Sequence, residues 1–353
     1  MQQTATLDDL DINPRIIKAL KRAKLLDFGQ ILSLSAPDLE RNTTLSMRDV
    51  HMVHREVAKA VKKPAVISAL ELSSESCPDC HKIFNLSTGD GFIDKLLRGG
   101  ILSKGITEVA GASATGKTQF CIQLCLTVQL PRAQGGLGGG AVYICTEDVF
   151  PTKRLQQMIG AFCKTIDKEF QKIQFGDQIF IEHIAEKEDL ISCLKYRLPK
   201  LLQKNIVKLV VIDSVAALFR SEYHLSESTK RSKQLSSLGA ILHELSSSSN
   251  IPVVCVNQVS DVINPSAKSH GKQVTPSLGL TWANLVTTRL MLTRTIYNVT
   301  IERSDTAGKV LDKYESAVRK LEAVFAPHLQ KDCCHFVISS DGVKGILIQD
   351  TPD

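Results

Sequence analysis

The 353-residue chain reads as an α/β protein with a mostly parallel central sheet, preceded by a small N-terminal helical bundle. Three observations carry that reading. From Thr88 onward, short apolar runs alternate with longer amphipathic stretches, the pattern of strands buried on both faces and joined by helical crossovers. Before that point, apolar residues recur at helical spacing and no strand-like run occurs. Finally, a glycine-containing segment, residues 111–118, stands between a strand candidate and a helix candidate.

The elements follow in order. Asn13-Pro14 caps and opens a helix whose apolar face is Ile16, Ile17, Leu20 and Leu25. A second helix begins at Ala36-Pro37-Asp38-Leu39. A third runs from Met47 to Val61, with Val50, Val53, Val57 and Ala58 on one side. Residues 1–63 are therefore a helical domain. Residues 64–86, with Pro64, Ser73-Ser74, Ser76 and Pro78, lack long periodicity and read as a linker. Residues 87–353 form the α/β domain. Its strand candidates are 106–110, 141–145, 179–183, 209–212 and 253–256; its helix candidates are 117–129, 151–164, 187–203 and 233–246. Residues 134–140 hold five glycines in seven positions and read as a mobile surface connection. Residues 294–322 have balanced charge and partial helical spacing at Val310, Leu311, Tyr314, Val318 and Leu321.

A net charge of +6 permits a nucleic-acid partner without requiring one. Of the ten cysteines, Cys121, Cys125, Cys145 and Cys255 lie in apolar stretches and act there as small hydrophobes. With no secretory pattern and no apolar run of the ~18 residues a membrane span needs, the expected setting is intracellular and reducing. Cys77-Pro-Asp-Cys80-His81 offers half a zinc site, but no second pair lies near it.

The chemistry is carried by Gly111-Ala112-Ser113-Ala114-Thr115-Gly116-Lys117-Thr118, a phosphate-binding loop pattern. Gly111 and Gly116 let the backbone curl so that successive N–H groups meet phosphate oxygens, and the following helix adds the positive end of its dipole. Lys117 serves the β and γ phosphates, and the Thr118 hydroxyl ligates magnesium. ATP with Mg2+ is the expected cofactor pair. The strand 209–212 ends in Asp213, placed to hold the metal through water. The strand 141–145 runs on to Glu147, which orients the attacking water or else caps the helix near Pro151. The strand 253–256 ends in Asn257 and Gln258; Gln258 senses the γ-phosphate or caps the sheet. Ligands of open parallel sheets gather at such strand C-termini.

These four strand ends, in this order and spacing, resemble the core of the RecA-like recombinases, P-loop ATPases, from Thr88 to the C-terminus. The helical bundle and linker bring the chain closer to the eukaryotic branch, and residues 11–17, 141–148, 153–157, 178–183 and 326–329 look like its recombinase paralogues. The resemblance implies that Gln119 joins the nucleotide site, that Arg154 stacks on adenine, and that Pro327 caps ATP bound to a neighbouring protomer. It implies a first DNA loop over 221–234, with Arg220, Tyr223, Lys230, Arg231 and Lys233, and a second over 260–280, with Lys268 and Lys272. By composition alone both segments are polar and basic, as single-strand binders require, or are plain solvated loops. Val66 and Ala69 occupy the place of an aromatic-x-x-Ala anchor that adds a strand to the next protomer; the smaller Val66 buries less area, unless this stretch packs on its own domain. The bundle resembles a helix-hairpin-helix module, but its turn, 42–46, has no glycine, which favours a scaffold over DNA contact.

The function implied is that of a recombinase paralogue in homologous recombination repair of double-strand breaks and crosslinks. It would be a weak DNA-dependent ATPase. Its partners would be another recombinase paralogue, the main strand-exchange recombinase, and single-stranded or branched DNA. The resemblance places it in the nucleus, also in the cytoplasm, with no membrane role. The competing readings are a self-sufficient filament-forming recombinase and a RecA-like ring helicase or clock ATPase; the bundle and linker speak against the latter.

Overall fold

The computed structural model describes residues 6–61, 68–74, 77, 82–220, 228–261, 274–304 and 310–347. Two compact units emerge, Met1–Pro78 and Asp79–Asp353.

The first unit contains α1 (Pro14–Arg22), α2 (Phe28–Ser33), α3 (Ala36–Thr43), α4 (Met47–Ala60) and the short α5 (Ala69–Ser73). Side-chain caps start each of the first four: Asn13, Asp27, Ser35 and Ser46 accept backbone N–H bonds. Ile16, Leu20, Ile31, Leu39, Val50, Val53 and Val57 close the core. Helix α2 escaped the sequence reading because six residues give too little periodicity; its Asp27 cap and buried Ile31 are what hold it. The α3–α4 turn is made without glycine, by Thr44 at φ 57°. Val66, Cys80 and His81 lie outside the described residues. Ala69 is exposed and opens α5, which Ser68 and Glu71 cap reciprocally. It therefore starts a helix here and not an added strand.

The second unit begins with β1 (Asn85–Leu86), α6 (Gly91–Leu96) and β2 (Ile101–Leu102). Then come β3 (Ile106–Gly111), α7 (Lys117–Thr127), β4 (Gly140–Cys145), α8 (Thr152–Thr165) and β5 (Ile179–His183). Next are α9 (Lys187–Ser192), α10 (Leu198–Gln203), β6 (Val207–Asp213), α11 (Ala217–Arg220), α12 (Ser228–Ser249) and β7 (Val253–Asn257). The last are β8 (Val259–Asp261), β9 (Val274–Pro276), α13 (Gly279–Ala283), β10 (Thr288–Ser304), β11 (Val310–Phe325), β12 (Asp332–Ser339) and β13 (Gly342–Ile346). Nine strands form the main sheet in the order β13-β12-β11-β10-β3-β7-β6-β4-β5. Pairing is parallel from β10 across to β5 and antiparallel from β10 out to β13. One face packs on α7 and α8 through residues such as Phe120, Leu124 and Leu155. The other packs on α10 and α12 through Leu198, Leu238 and Leu242.

All five anticipated strands are present. Three expectations are corrected. The helix at 187–203 is interrupted by a π-helical turn, Cys193–Arg197, between α9 and α10. The glycine-rich stretch is not loose: Leu137 is buried, and the N–H groups of Gly136, Leu137, Gly138, Gly139 and Gly140 all reach backbone carbonyls. Its glycines permit close approach, since a Cβ on Gly136 would lie 1.9 Å from the Leu130 carbonyl oxygen. The region 294–322 is a long antiparallel hairpin, β10–β11, and no helix. Ser316 and Val318, then Leu321 and Ala323, are buried at the two-residue period of a strand, and β10 is rich in β-branched residues.

Candidate nucleotide-binding site

The C-terminal ends of β3, β7, β6 and β4 open onto one cavity of about 970 Å³. The loop after β3 is shaped by its glycines. Gly116 sits at φ 103°, and a Cβ there would meet Ile338 Cδ1 at 2.7 Å. A Cβ on Gly111 would meet the Leu292 carbonyl oxygen at 2.4 Å. Ala114 adopts φ 62°, so the loop curls through left-handed backbone at positions 114 and 116. Lys117 opens α7, and its ammonium donates to the Ala112 carbonyl at 2.8 Å, turned back across the loop. Burial lowers its pKa; Asp213 and Glu147 pull the other way.

The predicted metal ligands meet. Thr118 Oγ1 donates to Asp213 Oδ2 at 2.8 Å, and the Tyr143 hydroxyl donates to the same oxygen at 2.6 Å. The two candidate hydrolytic residues also meet: Gln258 Nε2 donates to both Glu147 oxygens at 2.7 and 2.8 Å, and Ser214 Oγ donates to Oε2 at 3.1 Å. Glu147 does not cap α8, whose N-terminus has no side-chain cap. Arg154 lines the same cavity. Its guanidinium donates to Gln119 Oε1 at 2.6 Å and to the Ser339 and Ser340 carbonyls at 2.6 and 3.0 Å.

This donor set fits a nucleoside triphosphate with a divalent cation. The loop leaves no room for a side chain at Gly111 and holds Gly116 in left-handed backbone, the helix end and Lys117 supply positive potential, and the hydroxyl–carboxylate pair Thr118–Asp213 is hard-oxygen chemistry suited to magnesium.

Other predicted residues lie elsewhere. Pro327 is exposed after β11 and does not line the cavity. Tyr223, Lys268 and Lys272 are outside the described residues; Arg220 ends α11. Lys230, Arg231 and Lys233 do not sit in an irregular loop but in α12, which begins at Ser228. Leu235, Leu238 and Leu242 anchor that helix, and the preceding residues contain no breaker, so the helix extends back over them. Lys230 and Lys233 are exposed and Arg231 half-buried.

Several residues of the site were not singled out from the sequence. Tyr143 lies inside the strand candidate 141–145, where nothing local marks its hydroxyl. Tyr314 and Arg319 of β11 line the cavity, and no linear spacing ties them to the loop. Glu108, wholly buried in β3, accepts from Asn257 Nδ2 at 2.6 Å and Trp282 Nε1 at 2.9 Å and pairs with Arg289. Asn257 Nδ2 also reaches the Ser277 carbonyl at 2.9 Å. One carboxylate thus ties β3, β7, β10 and α13 together, through Asn257, the residue before Gln258. A charged residue inside an apolar run was the available signal.

A Rad51 family model matches residues 79–346. A model described as an XRCC3/RpoA-like helix-hairpin-helix domain matches residues 7–61. DNA repair protein XRCC3 of Mus musculus is 43% identical over 352 residues, covering 96% of this chain and 98% of its own length. The DNA repair protein XRCC3 homolog of Arabidopsis thaliana is 33% identical, covering 74% and 93%. DNA repair protein rhp57 of Schizosaccharomyces pombe is 31% identical, covering 92% and 95%.

Proposed function

Because the chain belongs to the Rad51 family, whose members are ATPases, we propose that it is a recombinase paralogue acting in DNA repair. In this reading it binds ATP and single-stranded or branched DNA in the nucleus, joins another recombinase paralogue, and assists the main strand-exchange recombinase. The near-full-length likeness to mouse XRCC3 carries the choice of paralogue over ring helicase. No described helix is long and apolar enough to cross a membrane.

The residues take these roles. Backbone N–H groups of residues 111–118 and the Lys117 ammonium hold the phosphates. Thr118 and Asp213 hold magnesium, with Tyr143 fixing the carboxylate. The bound metal supplies charge neutralisation to the β and γ phosphates. Arg154, positioned by Gln119 and the Ser339–Ser340 carbonyls, faces the base. Glu147 orients water for a slow, DNA-dependent hydrolysis. Gln258, bonded to Glu147 and followed directly by β8 and the second DNA loop, is the link by which nucleotide state reaches DNA. Val66 and Ala69 contact the partner paralogue, in a linker between an N-terminal helical domain and the ATPase domain.

Two measurements test this. Lys117→Ala abolishes ATP binding; retained binding sinks the reading. Negative-stain microscopy with ATP, magnesium and single-stranded DNA yields monomers or short oligomers. Long regular filaments would instead make the chain a self-sufficient recombinase.

A further inference from the structure

The β10–β11 hairpin carries an unusual pair. Arg294 and Arg319 are direct cross-strand partners, and like charges directly opposite destabilise an antiparallel pair. Neither forms an ion pair among the described residues. Among the described residues, the hydrogen bonds of Arg319 go to carbonyls: Nη1 to Ala317 at 2.8 Å, and Nε to Ala114 of the phosphate loop at 3.4 Å.

The register breaks beside the pair, between Arg294 and Asn298. There Thr295 Oγ1 donates to the Val318 carbonyl at 2.8 Å and accepts from Tyr297 N at 3.2 Å. Bulges of this kind re-aim side chains next to functional sites. Arg319 is half-buried and lines the nucleotide cavity alongside Lys117 and Tyr314. Burial first, then Arg294, lowers its pKa; an anion would relieve both.

We propose that Arg319 contacts the polyphosphate of the nucleotide held in this same cavity, with Arg294 raising the local positive potential, so that the hairpin adds a cation to the site from the same chain. The inference rests on the nucleotide reading above. The two arginines cost stability in the free protein and are compensated when the anion arrives. A fixed cation gains with each unit of ligand charge, so ATP benefits more than ADP.

The experiment titrates the full chain and its Arg319→Ala, Arg319→Lys, Arg294→Glu and Lys117→Ala forms with ATP and ADP by calorimetry, and melts each without nucleotide. Arg319→Ala weakens ATP about tenfold and ADP less, and Arg319→Lys recovers part of the loss. Arg294→Glu raises the melting temperature of the free protein while weakening ATP several-fold, which a merely structural arginine would not do. If wild type binds, Lys117→Ala does not, and both Arg319→Ala and Arg294→Glu bind like wild type, the proposal is overturned. If these variants keep ATP affinity but lose single-stranded DNA, the pair serves DNA phosphates and the proposal is likewise overturned. If wild type itself binds no ATP, the nucleotide reading fails instead. Should Arg319→Ala not fold, the Lys and Arg294→Glu variants still decide.

Discussion

The parallel strands β3, β7, β6, β4 and β5 and the antiparallel strands β10 to β13 share one sheet but build function differently. Parallel strands all present their C-terminal ends on one side, so loop residues 111–118, Gln258, Asp213 and Glu147 converge there, steadied from within the strands by Tyr143 and Glu108. The antiparallel strands reverse at each turn and cannot concentrate their ends. They contribute instead from mid-strand, through Tyr314 and Arg319, and from one turn, through the Ser339 and Ser340 carbonyls that hold Arg154. Direction of chain thus decides whether a site residue stands next to a recognisable motif or far from any.

The boundary between the halves, β3 against β10, should be the most sensitive place. Glu108→Ala leaves Arg289 buried without its partner and strands Trp282 Nε1, costing about 3–5 kcal/mol in denaturant unfolding. A loss under ~1 kcal/mol would mean the halves are joined by backbone pairing alone. Within the parallel half, Gly136→Ala forces backbone away from the Leu130 and Thr127 carbonyls and costs about 1–3 kcal/mol; a neutral result would restore the mobile connection read from the sequence.

In the antiparallel half, Glu322 bonds Lys320 and pairs with Lys331, and the Lys320 hydrogen bond foremost lowers its pKa. Its stabilisation is full above the unfolded carboxylate pKa and fades as pH falls through the lowered folded value. Glu322→Gln therefore costs no more than about 1 kcal/mol at pH 7, and nothing in strong acid; a cost that persists there would point to packing rather than charge. Ile296, 91% exposed on the bulge, is the smallest case. Ile296→Ser changes stability by less than about 0.5 kcal/mol, and a larger loss would show that the bulge is part of the core.

How much could be read in advance follows the same division. The buried parallel strands are continuous apolar runs such as Leu209–Ile212, distinctive on their own, and a phosphate loop between strand and helix is a local pattern. The hairpin is not: Val310, Tyr314, Val318 and Leu321 fit a helix as well as a strand, and only pairing with β10 and β12 separates the two. The resemblance and local polarity put Lys230, Arg231 and Lys233 in a loop, and only the anchoring of α12 by Leu235 and Leu238 shows them to be helical. Glu108 is visible in the sequence as a charge inside a strand candidate, but its role, like that of Tyr143, is fixed only once its partner, here Trp282 or Asp213, is next to it in space.

The sequence by itself determined the phosphate loop, the existence of the five parallel strands, the carboxylates at their ends and three of the helices of the N-terminal unit, because each depends on residues within one turn or one strand. Only the tertiary structure decided that Thr118 meets Asp213, that Gln258 meets Glu147, and that Arg319 faces the loop beside Arg294. Those contacts join residues 95, 111 and 205 positions apart, and sheet order and register, set by packing across the whole domain, bring them within reach.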